Sequence, residues 1–260
     1  MSQAKAPLMA EERRQQILAI LHSEGRVLVG NLSKVFRVSE ITIRKDLDAL
    51  SDRGLIQRSH GGGLPPTSAA LSDPSLHEKQ KLNIAEKDRI AAAAIKLVRE
   101  GWCVMLDSGT TTAAIAQGLK KFSSLTVITN AINIAAELAN TNFEIIVTGG
   151  TLRKNSYSMV GPIAEDLLKE MHADILFLGV DGFDLEVGLT TPNLLEARVN
   201  RAMVSSSHRV VAVCDSTKFS RRSMSRILPI SQVHHVITDK GLPDSIAQAL
   251  RAHGIELTLV

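Results

Sequence analysis

The sequence predicts an α/β protein in two parts: a small, mainly helical N-terminal unit and a larger C-terminal domain built on a mainly parallel sheet. Three observations predict this. Three short segments with helical periodicity precede residue 55, and a stretch rich in Gly, Pro, Ser, Thr and Ala follows at 61–75. Apolar strand-like runs then alternate with helical segments, which indicates a sheet covered by helices on both faces.

The first part has the pattern of a winged helix-turn-helix. Apolar residues recur with helical spacing over three segments, at 10–23, 29–36 and 40–52. Ser39 is placed to cap the third segment, and Ile43 and Leu47 belong to its core stripe. Residues 55–59 alternate as a short strand before a run of three glycines. The third helix of such a unit enters the major groove of DNA.

The outward face of this third helix supplies the candidate DNA contacts. Ile41 and Lys45 lie opposite the core stripe, and an exposed isoleucine can contact a thymine methyl group. The candidates are Ser39, Ile41, Thr42, Arg44 and Lys45 on the helix and Arg58 and His60 on the wing. The same pattern also fits a helix with ordinary surface charges or a helical bundle that docks a protein partner.

Charge and composition limit the classes of partner. Residues 1–65 hold 10 of the 30 Lys and Arg side chains and 7 of the 27 Asp and Glu, so the net charge of +3 lies wholly there. This asymmetry is typical of a module that binds a polyanion. No apolar run is long enough to cross a bilayer and residues 1–14 lack a signal-peptide pattern, so we expect a cytoplasmic protein without a membrane partner.

The chain offers little for redox or metal chemistry. Cys103 and Cys214 lie in apolar strand-like runs and are expected to be reduced core residues. His234 and His235 are adjacent, so on a strand they point to opposite faces and do not chelate one ion together. We therefore expect no metal and no cofactor.

The second part alternates strands and helices from a first helix at 85–100 onward. Strands are predicted at 103–106, 125–129, 143–148, 175–180, 210–214, 236–238 and 255–259. Helices are predicted at 110–119, 131–139, 162–171, 195–205 and 243–253. Ligands of such sheets bind beyond the carboxyl ends of the strands.

Small polar residues follow five of these strands. They include Asp107, Ser108, Gly109, Thr110, Thr111 and Thr112 after the first, Asn130 after the second, Gly149 and Gly150 after the third, Asp181 after the fourth and Lys218 after the fifth. The loop at 107–112 ends at a helix N-terminus, where free N–H groups and the helix dipole favour a phosphate or carboxylate. The set predicts a pocket for a small phosphorylated molecule, although such residues are also ordinary in turns between strands and helices.

Several of these motifs carry a family resemblance. Residues 38–47 (VSEITIRKDL), 54–58 (GLIQR) and 60–62 (HGG) resemble the DNA-binding signature of the DeoR family of bacterial sugar-metabolism regulators. The second part resembles the family's effector-binding domain at 106–112, 129–130, 149–150, 161, 177–182, 188–190, 196–198 and 215–219. The resemblance implies a transcription factor whose C-terminal fold is similar to ribose-5-phosphate isomerase. Residues 149–153, 176–184 and 196–201 look most like the branch that controls N-acetylgalactosamine and related amino-sugar or hexitol utilisation.

The likeness to the isomerase raises an enzyme as the alternative. Residues 181–184 (DGFD) resemble its Asp-Gly-Ala-Asp-Glu motif, but Leu185 replaces the final glutamate and residues 190–193 (TTPN) replace the expected Lys-Gly-Gly-Gly stretch. The acid–base set therefore lacks its lysine, so we expect a sensor that binds a sugar phosphate without turnover. Many family members have lysine at the position of Asn200. In the sensor interpretation, Glu196 and Asp181 contact hydroxyls or a substituent of the sugar.

The sequence thus predicts a DNA-binding domain at 9–64, a linker at 65–80 and an effector-binding and oligomerisation domain at 81–260. The expected function is repression of a sugar or amino-sugar operon, with an activator or a sugar-phosphate isomerase or deaminase as alternatives. Expected partners are double-stranded operator DNA, a phosphorylated sugar effector and further copies of the chain in a homodimer or homotetramer. No catalytic residue is assigned.

Overall fold

The chain forms two compact units, Met1–Ser72 and Asp73–Val260. The computed structural model describes residues 9–24, 26–53, 55–59, 61–64 and 73–260. The predicted fold class is confirmed, because a helical unit with a small sheet precedes a domain built on a parallel sheet. His60 and residues 65–72 of the predicted linker lie outside the described residues.

The first unit has three helices and a three-stranded antiparallel sheet. Its elements are α1 (Ala10–Glu24), β1 (Val27–Leu28), α2 (Val29–Phe36), α3 (Glu40–Asp52), β2 (Gln57–Ser59) and β3 (Gly62–Leu64). The strand order is β1-β3-β2, so the β2-β3 hairpin forms the wing and β1 pairs with its second strand. The core contains Ile17, Leu21, Val27, Val29, Leu32, Ile43, Leu47, Leu50 and Ile56. The winged helix-turn-helix arrangement is therefore confirmed.

A buried ion pair joins the first and third helices of this unit. Asp46 is only 2% exposed although it lies in the middle of α3. Its Oδ2 accepts a hydrogen bond from Arg13 Nε at 2.5 Å, and its Oδ1 accepts one from Arg14 Nε at 3.0 Å. Because two guanidinium groups satisfy the buried carboxylate, α1 is held in place against the recognition helix.

The second unit, residues 73–260 of the described chain, contains twelve strands and seven α-helices. Its strands are β4 (Cys103–Leu106), β5 (Thr126–Thr129), β6 (Glu144–Val147), β7 (Thr151–Arg153), β8 (Ser158–Val160), β9 (Ala173–Leu178), β10 (Gly182–Asp184), β11 (Gly188–Thr191), β12 (Ser207–Val213), β13 (Ser225–Leu228), β14 (His235–Thr238) and β15 (Glu256–Leu259). Its helices are α4 (Leu76–Gln80), α5 (Ile84–Ala94), α6 (Thr110–Leu119), α7 (Ile132–Leu138), α8 (Pro162–Lys169), α9 (Leu194–Ser205) and α10 (Asp244–Ala252).

Seven of these strands form the central parallel sheet, in the order β15-β14-β12-β9-β4-β5-β6. Alternate residues of β4 face opposite layers: Met105 packs into one apolar cluster, and Val104 and Leu106 pack into the other. The strand order reverses at β4 and β9, which are neighbours although they are far apart in sequence. This reversal creates a crevice at their carboxyl ends, where ligands of such sheets bind.

Two small antiparallel sheets were not predicted from the sequence. One is the β7-β8 hairpin, and the other has the order β10-β11-β13. Each of these strands has only three or four residues, so its pattern is too short to separate it from loop. Gly150 precedes β7 with a φ of +106°, and a Cβ there would lie 2.6 Å from the carbonyl oxygen of Val160. This position therefore needs glycine for the backbone itself.

Two boundaries differ from the prediction. Residues 73–80, assigned to the linker from composition, belong to the second unit and contain α4. A capping box starts this helix, because Ser75 Oγ accepts from the Glu78 N–H and the Glu78 carboxylate accepts from the Ser75 N–H. The predicted helix at 85–100 ends at Ala94 and continues only as a 3₁₀ turn, Ile95–Leu97.

The buried Asp46 cluster leads to a stability prediction. Asp46→Asn removes the charge that compensates Arg13 and Arg14, so we expect the free energy of unfolding of the first unit to fall by about 3 kcal/mol. Hydrogen exchange of the α3 amides in the full-length chain measures this unit locally. Asp52→Asn, at an exposed position of the same helix, is the control. Equal exchange in the two variants would contradict a stabilising role for the ion pair.

Candidate functional site

Several of the predicted DNA-contact residues form hydrogen bonds with one another at the start of α3, the recognition helix. Ser39 caps α3, and its Oγ accepts from the Thr42 N–H at 3.2 Å. The hydroxyl oxygens of Ser39 and Thr42 lie 2.9 Å apart. Arg44 donates to Glu40 across one helical turn at 3.1 Å. These residues are accessible at the helix start, but each already has a partner within the helix.

Ile41 and Lys45 form the outward face, as the periodicity predicts. Ile41 is 67% exposed, so its apolar side chain is accessible to a partner. Lys45 is exposed, and its amine makes no hydrogen bond or ion pair with any residue that the structure describes. Arg58 is engaged instead: its Nε donates to Asp48 at 2.8 Å and its Nη1 donates to the Gly62 carbonyl at 2.8 Å. Arg58 thus joins the wing to α3.

The loop after β4 ends at a helix N-terminus without a side-chain cap. Gly109 is the N-cap residue of α6 and provides no capping hydrogen bond. The first backbone N–H bonded within the helix is that of Ala113, which donates to the Gly109 carbonyl at 3.1 Å. The N–H groups of residues 110–112 precede this bond, so they have no partner within the helix. Thr110 is half-buried and Thr111 and Thr112 are buried at this turn.

Asp107 lies buried directly before this helix, at 3% exposure. Burial raises the pKa of Asp107 well above its usual range, and the nearby carboxylates of Glu196 and Asp181 raise it further. Hydrogen bonds from the backbone N–H groups of Ser108 and Gly179 oppose this shift. The Asn200 amide lies beside the Asp107 carboxyl and, in the orientation that satisfies both groups, donates to it at 3.1 Å. No cation among the described residues pairs with Asp107.

Asp181 and Glu196 each have a cation and a hydroxyl as partners. Asp181 accepts from Lys79 Nζ at 2.6 Å and from Thr191 Oγ1 at 3.1 Å. Burial raises the pKa of Asp181, but Lys79, Lys218 and the two hydrogen bonds outweigh it and hold the pKa below its usual range. Glu196 accepts from Arg153 Nη1 and from Ser158 Oγ, both at 2.9 Å. Each of the two carboxylates therefore already has a cation and a hydroxyl as hydrogen-bond donors.

Two further lysines lie near this cluster. Lys218, in the 3₁₀ turn Ser216–Lys218, makes no hydrogen bond or ion pair with the described residues, although its charge acts on Asp181. Lys87 is buried on α5, and its amine donates to the carbonyls of Lys79 and Leu82 at 2.5 Å each. Burial lowers the pKa of Lys87, and the charges of Lys218 and Lys79 lower it further. Within the described part of the chain, Lys218 is thus a cation without a bonded partner beside the carboxylates.

The remaining predicted residues, Asn130, Gly149 and Gly150, follow strands β5 and β6, and both loops contact β8. Asn130 is fully buried after β5, and neither atom of its side-chain amide has a partner among the described residues. The backbone carbonyl of Asn130 accepts from the Met159 N–H at 2.6 Å. Gly149 and Gly150 follow β6 with positive φ, and Gly150 lies against Val160. Strand β8 therefore connects these loops to Glu196 through Ser158.

Sequence reasoning missed the partners of the carboxylates. Lys79 is 102 residues from Asp181 in the chain, and Arg153 is 43 residues from Glu196. Thr191 and Ser158 contribute hydroxyls from the unpredicted short strands. The one signal in the sequence was the charge of Lys79 and Arg153, and nothing local distinguishes them from surface cations.

Asp184, the second carboxylate of the isomerase-like motif, also has hydrogen-bonding partners. Arg222 Nε donates to Asp184 Oδ2 at 2.8 Å, and the N–H groups of Glu186 and Val187 donate to Oδ1 at 2.9 Å each. The hydrogen bond from Arg222 holds the pKa of Asp184 below its usual range. A carboxylate satisfied by three donors is a weak proton acceptor, so the motif is poorly arranged for moving protons between sugar carbons.

Comparison with known proteins decides the family. Residues 13–68 match the family described as the DeoR-like helix-turn-helix domain, and residues 82–240 match the DeoR C terminal sensor domain. The chain belongs to the DeoR family. It is a DNA-binding transcriptional repressor with a C-terminal sensor domain. The alternative that it is an enzyme does not hold, because relatives matched along nearly their whole length are named transcriptional regulators.

Three similar proteins illustrate the extent of the match. An Escherichia coli O157:H7 protein described as a proposed aga operon transcriptional repressor is 42% identical over 251 residues, which cover 96% of this chain and 93% of that protein. The glycerol-3-phosphate regulon repressor of Escherichia coli K12 is 34% identical over 249 residues, covering 95% and 98%. The structure of ribose 5-phosphate isomerase A from Methanocaldococcus jannaschii is 17% identical with a TM-score of 0.40, covering 53% and 55%.

The described residues contain no group of three or more His, Cys, Asp or Glu side chains that is arranged to hold a metal ion. No helix among them is long and apolar enough to span a membrane. Cys103 and Cys214 are free thiols, and burial raises the pKa of Cys103 to about 11.

The raised pKa of Asp107 gives a pH prediction. The folded state holds the Asp107 proton more tightly than the unfolded chain, so stability falls as pH rises from the ordinary carboxyl range through the raised pKa. Asp107→Asn removes this loss. We expect the melting temperature of Asp107→Asn, relative to that of the wild type, to increase as pH rises from about 4 towards neutrality.

Thermal unfolding of both proteins across this pH range measures the difference. Asp88→Asn, at an exposed position of α5, controls for the loss of one carboxylate. Melting temperatures of wild type and Asp107→Asn that stay parallel at every pH would show that Asp107 titrates normally.

Proposed function

We propose that this repressor controls a sugar-utilisation operon and that a phosphorylated sugar bound in the second unit releases it from operator DNA. The observation that carries the proposal is the uncapped N-terminus of α6, which lies at the strand-order reversal beside Asp107, Asp181 and Glu196. An anion-binding group next to a set of carboxylates matches a molecule that combines a phosphate with hydroxyls or an amine.

The phosphate binds at the loop before α6. Free N–H groups of residues 110–112 point from the positive end of the helix dipole, and the hydroxyls of Ser108 and Thr110 add donors. Gly109 leaves this turn without a bulky side chain. Lys218 supplies the compensating charge, because its amine has no other partner among the described residues.

The sugar itself binds the carboxylates and the amide. Asp181 and Glu196 accept from hydroxyls or from a charged substituent, and Asn130 both donates and accepts because its amide is otherwise unsatisfied. Gly149 and Gly150 allow the backbone to approach the ligand closely. The aga operon repressor among the relatives and the resemblance to the amino-sugar branch support a phosphorylated amino sugar as effector.

The DNA-binding surface is the exposed face of α3 with the wing. Ile41 contacts a base through its apolar side chain, and Lys45 contacts a phosphate. Ser39, Thr42 and Arg44 lie at the same helix end and donate to the backbone of the DNA. Arg58 positions the wing, where His60 remains a predicted contact. Two recognition helices on adjacent half-sites require a homodimer or homotetramer.

Effector binding shifts the subunit arrangement so that the recognition helices no longer match the half-site spacing. A coupling free energy of about 1–3 kcal/mol changes operator affinity about 5- to 150-fold, which is enough to release a repressor.

The test measures operator binding and chemistry together. Full-length protein is titrated onto promoter DNA from its own gene neighbourhood, alone and with N-acetylgalactosamine 6-phosphate, glucosamine 6-phosphate, ribose 5-phosphate, glycerol 3-phosphate or inorganic phosphate. We expect one sugar phosphate to weaken operator binding without being converted. Steady conversion of that compound, or operator binding that no compound alters, would contradict the proposal.

A substitution at the phosphate-binding turn separates sensing from DNA binding. Thr110→Asp places a carboxylate where the phosphate binds, and a negative side chain in a first helical turn is compatible with folding. We expect the sugar-phosphate affinity to fall at least about tenfold while operator affinity is unchanged. Ser245→Asp, in the exposed first turn of α10, is the matched control. An undiminished response of Thr110→Asp to the sugar would remove this turn from the phosphate site.

A second substitution tests the base contact. Ile41→Ala removes the apolar group proposed to lie against a thymine methyl, so we expect base preference at one position of the operator to weaken by about 1 kcal/mol. Binding-site selection from a randomised DNA pool measures the preference at every position. Ile163→Ala removes an equally exposed isoleucine from the second unit and serves as control. Identical selected sequences for Ile41→Ala and wild type would contradict a base contact.

A further inference from the structure

The first ten residues of the second unit form a strap across the effector site. The strap is residues 73–82, which contain α4 and begin the second unit directly after residue 72, the last residue of the first unit. Asp73 pairs with the Arg153 guanidinium, and the Leu76 N–H donates to the Asn155 carbonyl at 2.7 Å. The strap therefore binds the β7-β8 hairpin at its start.

The strap is also tied to both effector carboxylates. Lys79 Nζ lies 2.6 Å from Asp181 Oδ1. Arg153 bridges the other carboxylate, because its Nη1 donates to Glu196 at 2.9 Å while its Nη2 donates to Asp73. The two carboxylates proposed to bind the sugar thus hold the strap in the structure described here, one directly and the other through Arg153.

The strap does not hold its position without such contacts. Helix α4 has five residues, far below the length at which an isolated helix is stable in water. Besides its capping box, the strap is held by the two ion pairs, by hydrogen bonds to Asn155 and by the buried side chain of Leu76. It also packs against α6, and the Lys87 amine donates to the carbonyls of Lys79 and Leu82. Short elements held mainly by polar contacts are among those that open locally.

We propose that the strap transmits effector occupancy to the DNA-binding unit. Donor groups of the bound sugar compete with Lys79 for Asp181 and with Arg153 for Glu196, so ligand binding loosens the strap. The loosened strap corresponds to the state with low operator affinity. The inference rests on the proposed function for its ligand, but it adds the residues Asp73 and Lys79, which contact neither DNA nor sugar.

The test uses Lys79→Met in the full-length chain, with Lys81→Met as the matched control. Lys81 is an exposed lysine of the same strap, and its amine has no ion-pair partner among the described residues. Operator affinity is measured by fluorescence anisotropy with and without N-acetylgalactosamine 6-phosphate, and sugar binding is measured by calorimetry. The other phosphates of the panel are used in the same way.

Lys79→Met should bind operator, without any sugar, as weakly as the wild type does with saturating sugar. Addition of the sugar should then change its operator affinity less than about twofold, against about 5- to 150-fold in the wild type. Its sugar affinity should be at least that of the wild type, because the competing amine is gone. Asp73→Asn should behave in the same direction, and Lys81→Met should behave as wild type.

Several results would overturn the strap while leaving the proposed function intact. One is that Lys79→Met without sugar binds operator as tightly as the wild type does. Another is that Lys79→Met no longer binds the sugar, which would make Lys79 a ligand contact. A wild type that does not respond to any compound of the panel contradicts the proposed function instead. The unliganded operator affinity of Lys79→Met still tests the strap in that case.

Hydrogen exchange tests the same movement without substitution. Sugar binding to the wild type should speed exchange of the amides at 76–82. Slower exchange there on sugar binding would contradict loosening. Unchanged unfolding temperatures of the variants, measured by circular dichroism, show that a lowered operator affinity is not caused by unfolding.

Discussion

The reversal of strand order between β4 and β9 is the constraint on which the second unit depends. Because β5 and β6 extend from one side and β12, β14 and β15 from the other, the loops after β4 and β9 diverge. The N-terminus of α6, whose N-cap residue is Gly109, therefore lies at this crevice, and Asp107 lies close to the loop that carries Asp181. The proposed phosphate-binding turn and these two carboxylates meet because of this topological feature.

Charge balance in this crevice is the physical basis of the proposed binding and signalling. Asp181 and Glu196 are compensated by Lys79 and Arg153, whereas buried Asp107 has no cation among the described residues. Lys79 lies on the strap and Arg153 pairs with Asp73 of the strap, so both compensating charges are connected to the segment nearest the DNA-binding unit in sequence. In our proposal, a ligand with hydroxyls or an amine competes for the same carboxylates and so changes the hold on that segment.

Sequence reasoning located the local structure well and the long-range contacts poorly. Helices α2 and α3 have the predicted bounds because capping and core periodicity are local signals. The short strands β7, β8, β10, β11 and β13 were missed, since three or four residues give no decisive pattern. Residues 73–80 of the strap were assigned to the linker, because their order comes from ion pairs to residues about 80–100 positions away in the chain, which no local pattern shows.

The proposed function depends most on the turn at 108–113, which is proposed to bind the phosphate of a sugar effector. The most direct measurement is hydrogen exchange of the full-length protein with each sugar phosphate of the panel, resolved to individual peptides. We expect the compound that releases operator DNA to protect the amides at 108–113, because the free N–H groups of this turn bind its phosphate. Release of operator DNA by a compound that leaves these amides unprotected, and protects another part of the unit, would contradict it.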